Sequence, residues 1–561
     1  MVRKDMSTMA QRANRNNSRE EYRRIQERKK KKIAKQKGYT DIESSSYSAM
    51  EERYYAKKKL RDEKHRRKKE RRQRRGSTVR GMFLLTIQVV ALLVFMIALF
   101  SLDALPTNYL LLIGCILIMT AGVTLGTQLS NKRKRIGGKV FSLIMSFIMI
   151  GSTYYIIKAD NLLNMVTGAT EYQLDHMVVA VLDDDVAESI TDAASYTFAV
   201  QYAKDRQNME NAVSTIGEEL SAPITTKELS SMPEQAQALM SGEVQAIVYN
   251  QGYTEILNHS VEGFSEQIRV IYEYDIKTEL QDLTIDMEVN EEPFAFYISA
   301  NDVYGDIATN SRSDVNIIAI VNPKSHQILL VNTPRDYYIP IPGISGGQKD
   351  KLTHAGLYGV EASMDSLEEL YDVEIPFYAR INFTSMIEIV DILGGIEVES
   401  DSAFTIGRDA GGPMEIQEGM NYLNGEQALG FSRERQAFID GDNRRGRNQQ
   451  KVLTGMIQKM LSPTMIVKAG SILDAIGGKV DTNMSPDQIR SLIKQQMQSN
   501  ATWQIASMAA EGEGIKAICY SSGAEELYVT APYDRSTQEI KYAIDRVFAG
   551  ELVENSVIVG E

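Results

Sequence analysis

Val315-Asn-Ile-Ile-Ala-Ile-Val-Asn-Pro-Lys-Ser-His-Gln-Ile-Leu-Leu-Val331 holds two apolar, β-branched runs around a polar break. The runs Val315–Val321 and Gln327–Val331 read as strands, with Asn322–His326 as a hairpin connection. Phe294-Ala-Phe-Tyr-Ile-Ser299 supplies another strand upstream. Helical spacing follows at Glu361–Tyr371, Thr384–Leu393 and Arg447–Leu461, with Gly394-Gly395 as a stop signal for the middle helix. Strands at Ile515–Cys519 and Glu526–Val529 and a helix at Ser536–Phe548 complete a mixed-sheet α/β/α domain over residues 290–561.

A smaller α/β accessory domain is expected over residues 170–285. Its strands are Met177–Leu182, Val244–Tyr249 and Ile268–Tyr272, and Asp183-Asp-Asp185 leads from the first into a helical stretch. Acidic residues there are expected to cap the helix rather than to bind metal.

Farther upstream, Gly81–Leu102, Leu105–Leu129 and Val140–Ile157 are free of charged residues. About 20 apolar residues of helix cross a bilayer, so residues 81–158 read as a three-helix transmembrane anchor. Residues 1–80 hold 29 Lys and Arg against 11 Asp and Glu, whereas the rest of the chain holds 33 against 63. The loop Asn131-Lys-Arg-Lys-Arg135 is basic too, while the Asp103 turn has no Lys or Arg. The positive-inside rule puts the tail and that loop in the cytoplasm and both C-terminal domains outside the cell membrane. The tail has no helix-turn-helix pattern or zinc spacing, so it reads as an arm on anionic lipid rather than a nucleic-acid binder. Cys115 lies in a span and Cys519 is alone outside, so no intrachain disulfide is expected. A large exported domain without disulfides fits a Gram-positive-type bacterial surface.

Familiar enzyme signatures fail. No phosphate-binding G-x-x-x-x-G-K-[ST] occurs, and Gly343-Ile-Ser345-Gly-Gly347 sits in a Pro/Gly-rich loop without the strand–turn–helix context of a serine nucleophile. No H-E-x-x-H is present and the exterior histidines are scattered. Against the acidic background, arginines crowd into Ser311-Arg312-Ser-Asp314, Thr333-Pro-Arg335-Asp336 and the stretch from Phe431 through Arg433, Arg435, Arg444, Arg445 and Arg447 to Gln450. Guanidinium groups fork onto phosphate oxygens and stay charged, so this pattern fits a diphosphate. Asp302 and Asp314 are hard carboxylates suited to Mg²⁺, which bridges phosphate oxygens.

At these residues the sequence resembles the LytR-CpsA-Psr family of cell-wall glycopolymer phosphotransferases. The resemblance is carried by Ser299-Ala-Asn-Asp302, Ser311–Ala319, Thr333-Pro-Arg-Asp336, Lys351-Leu-Thr-His-Ala355, Leu423–Leu429 and Phe431-Ser-Arg-Glu-Arg435. It departs from the family pattern at Ala300, where glycine is usual, and is silent on the long basic tail. The three-span anchor and accessory domain look like the capsule-associated branch. The resemblance implies transfer of a glycan phosphate from an undecaprenyl-diphosphate-linked polymer to peptidoglycan. It makes Asp302 and Asp314 the Mg²⁺-associated aspartates. It also puts Arg312, Arg335, Arg433, Arg435, Arg447 and Gln450 on the diphosphate, with Arg335 catalytic. Either aspartate could also take the acceptor's proton, although a metal-bound aspartate is a poor base. The apolar stripes Phe383–Leu393 and Leu453–Met460 read as core. Two other functions compete: a scaffold that holds lipid-linked polymer without transferring it, and a membrane-bound transcriptional attenuator acting through the tail.

Overall fold

The computed structural model describes residues 27–28, 42–102, 105–129, 136–166, 172–280, 283, 285–301, 306–438, 441–462, 465, 472, 475, 478–499 and 501–554. The Asp103 turn, the 131–135 loop, most of residues 1–41 and Asp302 lie outside the described residues. The chain divides into two units, one of Met1–Gln88 with Ala121–Leu143, the other of Val89–Thr120 with Ile144–Glu561.

Three helices open the chain: α1 (Ile42–Leu102), α2 (Thr107–Leu129) and α3 (Ile136–Val166). Their stretches Glu52–Leu102, Thr107–Leu129 and Ile136–Lys158 are long and apolar enough to cross a membrane. The third apolar run, short by itself, gains length because Gly137, Gly138 and Lys139 are helical as well. In the first unit, the Ser142 hydroxyl donates to the Leu84 carbonyl at 3.0 Å. In the second, Ala91, Leu117 and Met149 pack as a small apolar cluster.

The accessory domain has strands β1 (Tyr172–Leu182), β2 (Thr197–Val200), β3 (Thr225–Glu228), β4 (Ala246–Asn250) and β5 (Ile268–Glu279), in sheet order β3-β2-β4-β1-β5. Side chains alternate across β1, as a strand requires. Met177, Val179 and Val181 pack on helix α4 (Arg206–Glu219), while Val178 and Ala180 face α5 (Met232–Met240) and α6 (Thr254–Ser260). The helix expected after Asp185 does not form. The segment runs through turns instead: Asp185 accepts from the Ala187 N–H at 2.8 Å and the Tyr196 hydroxyl at 2.7 Å, and Asp192 accepts from Ser189 N–H at 3.0 Å. These acids cap turns, as carboxylates near free N–H groups do.

The second domain is built on β6 (Phe294–Asn301), β7 (Ser313–Asn322) and β8 (Gln327–Asn332), an antiparallel meander. The hairpin of β9 (Tyr338–Pro340) and β10 (Lys349–Lys351) follows, then α7 (Val360–Tyr371), β11 (Phe377–Asn382) and α8 (Phe383–Ile392). Two small sheets come next: β12 (Ile396–Ser400) pairs with β15 (Gly419–Leu423) around the hairpin of β13 (Phe404–Ile406) and β14 (Met414–Ile416). Helices α9 (Gly425–Arg433), α10 (Gly441–Leu461) and α11 (Pro486–Ser499) enclose β16 (Asp481–Thr482) in sequence. The chain ends with β17 (Gln504–Ala509), the hairpin β18 (Gly512–Ile518) and β19 (Glu526–Pro532), and α12 (Asp534–Phe548).

The central sheet has the order β16-β11-β6-β7-β8-β17, with β11 and β17 added in parallel. Ile318, Ile320, Leu329 and Val331 on one face meet Leu367 of α7 and Ile540 of α12. Ile317, Ala319 and Leu330 on the other meet Leu453 and Ile457 of α10. Helices on both faces make the expected α/β/α layering. Gly394 and Gly395 end α8 with φ of +75° and +89°, a backbone that side chains resist.

Candidate active site

Pairing between β6 and β7 slips where Ala300 faces Val315 and Asn301 faces Ser313. Asp314 is the extra residue of this bulge, and a bulge re-aims the side chain it carries. Its carboxylate accepts from one Arg335 nitrogen, Nη1, at 3.1 Å (Oδ1) and 3.0 Å (Oδ2), and from the Thr353 hydroxyl at 3.3 Å. Burial alone would push this acid up, but the Arg335, Arg445 and Arg312 guanidiniums outweigh it and hold it below the ordinary carboxylate range.

Arg335 is presented by a turn just past β8. The Thr333 N–H donates to Asn316 O at 2.9 Å, the Tyr337 N–H to Pro334 O at 3.0 Å, and the Thr353 N–H to Arg335 O at 2.8 Å. Its sequence neighbour Asp336 stands 3.7 Å from Nε and bonds Lys351 Nζ at 2.9 Å. Asp314, not Asp336, is thus the nearer anchor of the guanidinium.

Asp314 and Arg335 line a cavity of about 200 Å³ with Arg312, Arg433, Arg435 and Arg445. The Arg433 guanidinium lies 4.5 Å over the Phe383 ring, a cation–π contact that fixes its plane. Glu434, between Arg433 and Arg435, is buried and accepts from the Gly407 and Ala437 N–H groups, the latter at 2.9 Å. Gly446 lets α10 approach β8, since a Cβ there would meet Asn332 Nδ2 at 2.3 Å. Phe383 and Met386 form an apolar part of the wall, while Ile389, Val390 and Leu393 of the same stripe are buried in the core.

Two expected residues do not reach the cavity wall. Both Gln450 donor bonds run to backbone carbonyls, Leu330 O at 3.0 Å and Met508 O at 2.6 Å, so it ties α10 to the sheet. Arg447 is likewise not in the wall, and its charge helps depress the Asp401 acid after burial has raised it and Lys451 and Arg444 have pulled it down. Arg445 and Gln449 line the cavity in their place. Their four-residue spacing, one helical turn, was the available signal. Glu255 of the accessory domain also lines the cavity, which no local pattern foretold.

Among the described residues no cluster of three His, Cys, Asp or Glu could cage a metal. Of the two aspartates expected to hold Mg²⁺, Asp314 is the described one; Mg²⁺ takes one or two carboxylates and completes its shell with phosphates and water.

Elsewhere, Asp350, His354 and Ser521 meet in the interior. Asp350 Oδ1 and Ser521 Oγ both contact the same ring nitrogen, His354 Nδ1, at 2.7 and 2.8 Å. A serine hydrolase needs the two ring nitrogens divided between acid and nucleophile, and here all three residues are buried. Ser345 is buried as well, accepting from the Ile341 N–H at 3.0 Å as a loop staple. Burial pushes the Cys519 thiol up to about 12.

The model of the LytR_cpsA_psr family matches residues 260–534. The chain is 36% identical over 205 residues to the polyisoprenyl-teichoic acid–peptidoglycan teichoic acid transferase TagU of Enterococcus faecalis, a match that spans 36% of this chain and 65% of that protein. Identity to the TagU of Halalkalibacterium halodurans is 30% over 267 residues, 47% of this chain and 84% of that one. The crystal structure of B. subtilis TagU is similar over 47% of this chain and 100% of that one, at 27% identity and a TM-score of 0.36. With 84% of one relative covered and the arginine motifs gathered around one cavity, the chain belongs to the LytR-CpsA-Psr family.

Proposed function

We propose that the protein transfers a glycan phosphate from a polyprenyl-diphosphate-linked polymer to peptidoglycan. The observation that carries this is one cavity lined by Arg312, Arg335, Arg433, Arg435 and Arg445 beside the apolar Phe383 and Met386. Such a wall suits a diphosphate attached to a lipid. The relatives' names favour a teichoic-acid-type polymer. A capsule-associated donor rests instead on the three-span anchor and accessory domain.

In this reaction an acceptor hydroxyl oxygen attacks the phosphorus that bears the glycan. The bond from that phosphorus to the bridging oxygen breaks, polyprenyl phosphate leaves with the electron pair, and the hydroxyl's proton passes to solvent water. Arg335, held by Asp314, aims charge at the oxygens where negative charge gathers, and Arg312 and Arg445 add to that field. Phe383 and Met386 shelter the first isoprene units. Asp314, with Asp302, would hold Mg²⁺, which when bound neutralises diphosphate charge. The orientation that follows from Lys and Arg places the cavity outside the cell, beside the bilayer that carries the donor.

The test uses the full chain in detergent, a labelled lipid-linked polymer and isolated peptidoglycan. Label should move to peptidoglycan as polyprenyl phosphate appears in equal amount. Tight donor binding with no transfer would replace this reading by the scaffold.

A further inference from the structure

Arg312 stands on a segment of the catalytic domain that the accessory domain grips. The Leu174 N–H of β1 donates to Ala308 O at 2.9 Å, and the Asn310 N–H donates to Leu174 O at 2.8 Å. Leu174 and Thr309 thereby form a parallel bridge. The Asn310 side chain donates to Asp175 Oδ1 at 3.3 Å and to Leu357 O at 2.8 Å. Asn250 donates to the same Asp175 oxygen at 3.0 Å, and all three polar residues are buried. Buried hydrogen bonds of this kind hold a backbone closely.

From the same domain, the first turn of α6 puts Glu255 into the cavity wall, with Oε2 3.8 Å from Arg312 Nη1. The family match begins at residue 260, so Glu255 lies outside it. A carboxylate in the wall of an anion-binding cavity weakens the very ligand the arginines attract. That cost has a use if the cavity must also let an anion go. In the proposed transfer the leaving polyprenyl phosphate remains anionic and faces several guanidiniums.

We infer that Glu255 is a positioning residue that competes with bound phosphate for Arg312, so that the accessory domain sets how tightly the cavity holds its anion. This rests on the phosphotransfer reading. Anion entry draws Arg312 off Glu255, and return of Arg312 to Glu255 loosens the departing phosphate. Glu255 is suited to this exchange because its side chain is 51% exposed and its contact with Arg312 is long, whereas Asp314 grips Arg335 at 3.0 Å.

Calorimetry on the full chain in detergent tests this, with inorganic diphosphate and a short polyprenyl monophosphate as probes. Glu255→Gln should bind both about fivefold more tightly, the size of one like charge in a screened, half-exposed site. Steady-state transfer should slow more than single-turnover transfer, because release is what Glu255 assists. Glu255→Asp should return affinity towards that of the unaltered protein. In an Arg312→Gln background, Glu255→Gln should shift affinity by less than about twofold. Unchanged or weaker binding by Glu255→Gln, or the full gain without Arg312, overturns the inference alone. An unaltered protein that binds neither probe overturns the phosphotransfer reading and the inference with it.

Discussion

Lys351 Nζ meets Asp336 Oδ1 at 2.9 Å, and both side chains are only 9% exposed. The pair lies directly behind Arg335, whose Nε is 3.7 Å from the other Asp336 oxygen. Lys351 therefore neutralises a buried carboxylate that also faces Arg335. Lys351→Met should lower stability by about 3 kcal/mol, the scale for a buried charge stripped of its partner. It should also slow transfer at temperatures where the protein is still folded. Denaturant melts and donor turnover on one preparation measure both, and a variant as stable as the parent would show the pair to be ornamental.

Arg335→Lys separates catalysis from binding. Lysine keeps the charge but not the planar fork that reaches Asp314 and a phosphate oxygen together. Donor affinity should stay near normal while transfer falls by about 10²-fold, the scale for one misplaced electrostatic donor. Wild-type transfer with unimpaired binding would strike Arg335 from the catalytic residues.

Asp205, at the start of α4, has its acid raised to about 6, first by burial and then by the Asp175 charge, against hydrogen bonding from Asn208. The folded protein keeps this proton between pH 3.8 and about 6, where the unfolded chain has lost it. Its contribution to stability thus falls as pH rises through that window and stays low above it. Asp205→Asn should stabilise the protein by up to about 3 kcal/mol at pH 7.5 and hardly at all at pH 4. Melts at the two pH values decide, and equal shifts at both would mean that charge is not the cause.

Topology can be read with a fluorescent protein that stays dark outside the cytoplasm. Fused to the N-terminus it should glow, and fused after Asp160 it should not. A bright Asp160 fusion would reverse the orientation and place the cavity on the wrong side for a cell-wall acceptor.

The strands of the central meander and the helix before Gly394 were legible because apolar periodicity and stop signals coincide there. β17 was harder to see: Gln504-Ile-Ala-Ser-Met-Ala509 has a single β-branched residue and becomes a strand by pairing with β8. The arginine cluster was legible as chemistry but not as register. Reading α10 from Arg447 instead of Gly441 hid the turn that aligns Arg445 with Gln449, and Gln450 falls about 100° further round, against the sheet. Asp185 was misread because its side chain closes a turn with Tyr196 eleven residues away. Glu255 could not be found in sequence at all, since its place depends on contacts between two domains.

The bridge from Leu174 to Thr309 also governs how the cavity is mounted. Leu174 follows Val166, the last residue of α3, by eight positions. Eight residues of chain reach at most about 28 Å. The segment carrying Arg312 is therefore on a short leash to the third apolar helix, with no room for a long stalk. That leash limits how far the cavity can stand from the end of the third helix.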